Sequence, residues 1–159
     1  MLDEGLRLCA NNVRRFVLDN YALMRDGSNW HALAAAIFAF EELAKYSELR
    51  SAKKSATSAE VEVDERLFKD HKYKQDKARQ LLPSEAVDLF PAGFDRQLYD
   101  QSWFDMQTTT VTPSLRLDAV FVNWKEGHWI HGTPFLPERL KSFVDEILNC
   151  LHRLETGPD

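Results

Sequence analysis

Between residues 30 and 45 every position is apolar except His31, Glu41, Glu42 and Lys45. A helix that is apolar on nearly all its sides has to be surrounded by protein, so this stretch predicts the buried central helix of a mainly helical molecule. Its alanines, Ala32, Ala34, Ala35, Ala36, Ala39 and Ala44, let neighbouring backbones come close, while Leu33, Ile37, Phe40 and Leu43 fill the remaining space. The longest apolar run, residues 32–40, falls short of the ~20 residues that span a bilayer, so no membrane partner is expected. With 159 residues, 44% hydrophobic and 28% charged, the chain reads as a single folded domain over 1–159.

Amphipathic helices are expected on either side. Leu6, Cys9, Val13, Phe16, Val17 and Met24 recur at three- and four-residue steps and predict a first helix that ends near Asp26-Gly27, with Ser28 or Asn29 capping the next. Leu140, Phe143, Val144, Ile147, Leu148 and Leu151 predict a last helix from about residue 137 to about 154. Residues 50–59 read as a polar break. The charged segment 60–82 reads as a third helix, begun either by a capping box of Thr57 and Glu60 or by Asp64. An irregular insertion follows over 83–134, with a short helix and loops to about 110. Beyond it, Leu115, Leu117, Ala119 and Phe121 alternate well enough to admit a small β-hairpin near 115–132 that turns at Lys125-Glu126-Gly127. The fold class is all-α.

Several kinds of chemistry are excluded at this level. Lys and Arg total 20 against 25 Asp and Glu, a net charge of -5, so any contact with nucleic acid has to be local. Two cysteines, Cys9 and Cys150, are too few for a disulfide scaffold, and the acidic Asp3-Glu4 opening is unlike an export signal, so the expected compartment is the cytoplasm. A Gly-rich phosphate loop, zinc-spaced cysteine pairs and a Gly-x-Ser-x-Gly elbow are all missing from the sequence. His128 and His131 stand near Glu126 without an obvious further ligand, so no metal and no cofactor are expected.

The locally basic stretch is Arg66-Leu67-Phe68-Lys69-Asp70-His71, continuing through Lys72, Lys74, Lys77 and Arg79. On one continuous helix Leu67, His71, Ala78 and Leu82 share a face, which places His71 in the stripe turned toward other protein. Arg66 and His71 then lie about 140° apart around the axis. They converge if Arg66 occupies the first turn, which favours the start at Asp64, or if two copies of the helix meet across a dimer. Lys69, Lys72 and Lys74 either track phosphates or form a solvated face. In the central helix Glu41 falls half-buried beside Trp30, Ile37 and Ala44, and Glu42 turns away by about 100°. An ion pair of Glu41 with Lys45 would add only about 0.3–0.5 kcal/mol, so Glu41 needs a stronger partner, for which Arg66, His71 and Lys74 are the candidates.

Asn11 or Asn12, the run Ala-Ile-Phe-Ala-Phe-Glu-Glu-Leu-Ala-Lys at 36–45, Phe68-Lys69-Asp70-His71-Lys72-Tyr73-Lys74, and Val120-Phe121-Val122 with Trp129 and Pro134 together resemble the AbiV family of abortive-infection proteins. The resemblance implies a HEPN-like antiparallel helical bundle, a homodimer, and a metal-independent ribonuclease built on Arg-x4-His. It implies Arg66 and His71 as the catalytic pair, with Glu41, Lys45 and Asp70 in support and Lys69, Lys72 and Lys74 on the RNA. RNA is the implied substrate, and a phage protein that activates the enzyme, or an antitoxin, is a further implied partner. The alternative is a non-catalytic dimeric module that binds a phage or host protein through the aromatic segment 90–104.

Overall fold

The computed structural model of the chain describes residues 2–56, 62–83, 86, 89, 123–125, 128–130 and 137–157. Its elements are α1 (Leu2–Arg25), α2 (Asn29–Ser55), α3 (Arg66–Lys69), α4 (His71–Arg79), β1 (Asn123–Lys125), β2 (His128–Ile130) and α5 (Pro137–Thr156).

The first turn forms where glycine allows it. Gly27 has φ 76°, in the left-handed region that side chains with a Cβ avoid. With it there, Gly27 N–H donates to Met24 O at 3.0 Å and Ser28 N–H to Leu23 O at 2.8 Å, which satisfies the last carbonyls of α1. The chain then reverses. Asn20 donates to Ala32 O at 2.7 Å and Asn12 to Glu42 Oε2 at 3.2 Å, so positions rise along α1 as they fall along α2. That makes the pair antiparallel. The last helix α5 also runs antiparallel to α1, joined by Tyr21 to Asp145 at 2.5 Å and Arg14 to Glu155 at 2.6 Å.

The core is built around α2, as its apolar pattern requires. Ala32, Leu33, Ala36, Ile37, Ala39, Phe40, Leu43 and Ala44 are all fully buried, and Val13 and Val17 of α1 and Leu140, Phe143, Val144 and Ile147 of α5 close over them. Phe40 meets Phe143 edge to face at 5.2 Å between ring centres. Each such large apolar side chain contributes roughly 1.5–3 kcal/mol by leaving water. Among the described residues, no helix is long and apolar enough to cross a membrane.

Two boundaries depart from the sequence reading. The polar break expected at 50–59 starts later, because α2 continues to Ser55. Ala52, Lys53 and Lys54 are good helix formers, and Arg50 and Lys53 are tied to Gly157 O just past α5 and to Asp3 of α1. The third helix is not continuous. Asp70 adopts φ -107° and ψ 110°, an extended conformation that divides it into α3 and α4. The start after Asp64 is the one the chain uses, since α3 begins at Arg66.

A short antiparallel strand pair, β1 with β2, sets Trp124 opposite Trp129 and lies inside the interval where a hairpin was admitted. Residues 115–122, His131, the aromatic segment 90–104 and almost all of 83–110 lie outside the described residues.

Candidate active site

The break at Asp70 is what delivers His71. Aspartate is a strong N-cap because its carboxylate accepts from a free backbone N–H of the first turn. Here the Asp70 side chain accepts from Tyr73 N–H at 3.1 Å, so α4 starts afresh with His71 as its first residue. From there His71, Lys74, Gln75 and Ala78 fall at three- and four-residue steps, on one face of α4. That face packs on α2.

Glu41 stands opposite it. Its side chain is only 4% exposed, and both carboxylate oxygens are engaged by α4. Oε2 lies 2.7 Å from Nδ1 of His71 and 3.2 Å from Nζ of Lys74, while Oε1 accepts from Nε2 of Gln75 at 2.9 Å. A buried carboxylate needs such an arrangement, because its desolvation is offset only by a counter-charge and well-formed hydrogen bonds. Lys74, also 4% exposed, supplies the counter-charge. His71 differs from its neighbours. Its side chain is 39% exposed, and Nε2 has no hydrogen-bond partner among the described residues. One nitrogen is held inside the protein and the other side of the ring meets solvent.

Arg66 is placed elsewhere. Its backbone N–H donates to Asp64 Oδ1 at 2.9 Å, and its guanidinium grips the same carboxylate through Nε at 3.1 Å and Nη2 at 2.6 Å. It also lies over the Tyr73 ring at 4.5 Å from the ring centre, with Lys77 Nζ at 5.5 Å from that centre. The Arg66 hydrogen bonds hold the Asp64 carboxyl down at about 2, below its ordinary value. Arg66 remains 64% exposed, so this ion pair sits in water, where a second anion can compete for it. Arg66 makes no hydrogen bond or ion pair with His71 among the described residues, and it is not the partner of Glu41.

The remaining predicted residues separate in the same way. Lys45 pairs with Glu42, not Glu41, and Asn12 of α1 donates to that same Glu42. Glu42 does turn away from Glu41, but into a second polar cluster against α1 and not into open solvent. Lys69 and Lys72 are exposed, Lys69 paired with Glu65. Lys74, grouped with them in the sequence, is instead buried against Glu41. Asp70 acts through the backbone, as the cap that sets the position of His71. Gln75 was missed altogether. The signal for it was spacing, since it follows His71 by four residues and Glu41 has to be met by donors from that face.

Both cysteines are buried free thiols, and burial with the nearby Glu42 pushes the Cys9 thiol up to about 11, away from the reactive thiolate. Among the described residues no group of three or more His, Cys, Asp or Glu is placed to hold a metal ion.

Comparison with known families finds one match relevant to this geometry: a family model described as AbiV, of the HEPN type, covers residues 1–133. That interval includes α1 to α4 and every residue discussed above for the site. Neither a curated protein nor a solved structure matches the chain.

Proposed function

Because the chain belongs to the AbiV family of HEPN proteins, an abortive-infection family, we propose that it is a metal-independent endoribonuclease that works as a homodimer, with Arg66 and His71 as its catalytic pair. The observation that carries this reading is the two-sided environment of His71, whose Nδ1 is anchored on buried Glu41 while the ring stays 39% exposed. A proton-transfer group needs that combination of fixed orientation and access.

The reaction that suits these groups starts at the RNA 2′-hydroxyl. Nε2 of a neutral His71 takes the hydroxyl proton, the 2′-oxygen bonds to the adjacent phosphorus, and the bond from phosphorus to the 5′-oxygen breaks. The departing 5′-oxygen takes a proton from a second imidazole, in its protonated form, supplied by the His71 of a second protomer. Arg66 stabilises the negative charge that builds on the phosphorane oxygens, in exchange for its contact with Asp64. The products are a 2′,3′-cyclic phosphate and a free 5′-hydroxyl. With His71 the one imidazole each chain brings to this site, the dimer has a chemical purpose, and it also lets Arg66 of one protomer approach His71 of the other. Lys69 and Lys72, both exposed, are assigned to the RNA phosphates, and Phe68, 54% exposed, to contact with the second protomer.

Burial of Glu41, Lys74 and Gln75 favours a second reading, in which the same network only fixes helix register in a non-catalytic dimeric module. The two readings part on RNA. Protein incubated with tRNA in excess chelator is expected to cut it and to leave a fully 2′-O-methylated strand of the same sequence intact. Intact tRNA, or cleavage of the methylated strand, removes the ribonuclease reading.

A further inference from the structure

The amide of Gln75 is oriented at a cost. Its residue is fully buried, its Nε2 donates to Glu41 Oε1 at 2.9 Å, and its own Oε1 has no hydrogen-bond partner among the described residues. Turning the amide over would bring that oxygen against the Glu41 carboxylate, two acceptors face to face. The carboxylate therefore decides the orientation, and Gln75 turns its amide so that Glu41 has a donor. An apolar side chain at 75 would remove the unpartnered carbonyl but would leave Glu41 Oε1 without its donor. The donor stands where it serves Glu41, and Glu41 in turn touches Nδ1 of His71.

We propose that Gln75 is a positioning residue for His71: by fixing one oxygen of Glu41 it aims the other at Nδ1, so that the imidazole carries its proton on Nδ1 and keeps Nε2 as the reactive nitrogen. The proposal deepens the ribonuclease reading and rests on it for the role of Nε2. The geometry distributes the work among three donors. Gln75 takes Oε1 alone, while His71 and Lys74 share Oε2, at 2.7 and 3.2 Å. Loss of the Gln75 donor frees the carboxylate to rotate toward Lys74. Nδ1 then loses its fixed acceptor, and the neutral ring is released to exchange tautomers. A ring protonated on Nε2 presents a donor where the 2′-hydroxyl needs an acceptor. That population is inactive in the first step.

Nitrogen-15 NMR of His71 in the full-length protein tests this directly, together with cleavage kinetics of Gln75→Met. Wild type is expected to show a protonated, pyrrole-type Nδ1 and a pyridine-type Nε2 when the ring is neutral. Gln75→Met takes a donor from the buried carboxylate and so lowers the thermal midpoint; measured where the variant is folded, it is expected to populate the other tautomer and to lower kcat by about tenfold with KM little changed, the scale on which an orienting partner acts. A purely structural Gln75 would leave the nitrogen spectrum unaltered, and an unaltered spectrum in Gln75→Met overturns the proposal. So does an Nε2-protonated ring in wild type, whether or not the variant folds. Should wild type prove inactive on RNA, the ribonuclease reading falls, while the spectra still decide whether Gln75 sets the tautomer.

Discussion

His71→Ala is expected to lower RNA cleavage by about 10²–10⁴-fold, the range over which a positioned proton-transfer group acts, while the protein stays folded. Little stability is at stake at this position. The His71 ring is 39% exposed, and its removal leaves Glu41 with Lys74 and Gln75. The loss is one hydrogen bond, about 1 kcal/mol, or a fall of roughly 2–4 °C in Tm for a chain of this size. Parallel measurement of turnover and thermal unfolding separates the two readings of the site. Lost cleavage with a near-native Tm marks a catalytic histidine, whereas a large fall in Tm, in a protein that does not cleave RNA or whose cleavage the variant keeps, marks a register-fixing one.

Glu41→Ala should behave in the opposite way. It removes the counter-charge of Lys74, whose side chain is 4% exposed and cannot recover water without disrupting the packing of α4 on α2. An unpartnered buried charge of this kind costs about 3–5 kcal/mol, a large part of the ~5–15 kcal/mol that holds an ordinary domain together. Chemical denaturation measures it. The cause is electrostatic and not a cavity, so the double variant Glu41→Leu with Lys74→Met is expected to recover most of the lost stability, because apolar replacements of a buried pair are often neutral or better. The recovered protein should still cleave poorly, since His71 has lost the acceptor for Nδ1. Stability and activity are thus separable at one cluster.

The central helix was legible because its pattern leaves no choice: residues apolar on every side of a helix can only go inside. The turn at Gly27 and the limits of α1 and α5 were legible for a similar reason, with glycine and periodicity pointing the same way. The interruption at Asp70 was not. Charged residues lie on both sides of it, and the pattern of Leu67, His71, Ala78 and Leu82 fits a continuous helix nearly as well as a broken one. What decides it is local, an aspartate able to accept from Tyr73 N–H. The break also removes the 140° separation computed for an unbroken helix, so the relation of Arg66 to His71 follows from the geometry around Asp70.

Glu41 was read as a half-buried carboxylate in need of a partner, and two of its three candidate partners, His71 and Lys74, meet it. Arg66, the third, is held by Asp64, a nearer carboxylate two residues away. Lys74 has two readings in the sequence, a partner for Glu41 and, with Lys69 and Lys72, a phosphate contact or solvated face, and its pairing with Glu41 realises the first. Its position three residues after His71 places it on the packed side. A polar residue in the apolar stripe is invisible to a reading based on hydrophobic periodicity, and Gln75 was missed for the same reason.

The end groups of RNA fragments made by wild-type protein in the presence of chelator give the most direct measurement of the chemistry assigned to Arg66 and His71. Attack by the neighbouring 2′-oxygen predicts fragments with a 2′,3′-cyclic phosphate on one side of the cut and a 5′-hydroxyl on the other. Fragments with a 5′-phosphate and a 3′-hydroxyl, or cutting that starts only when a divalent metal is restored, would contradict it.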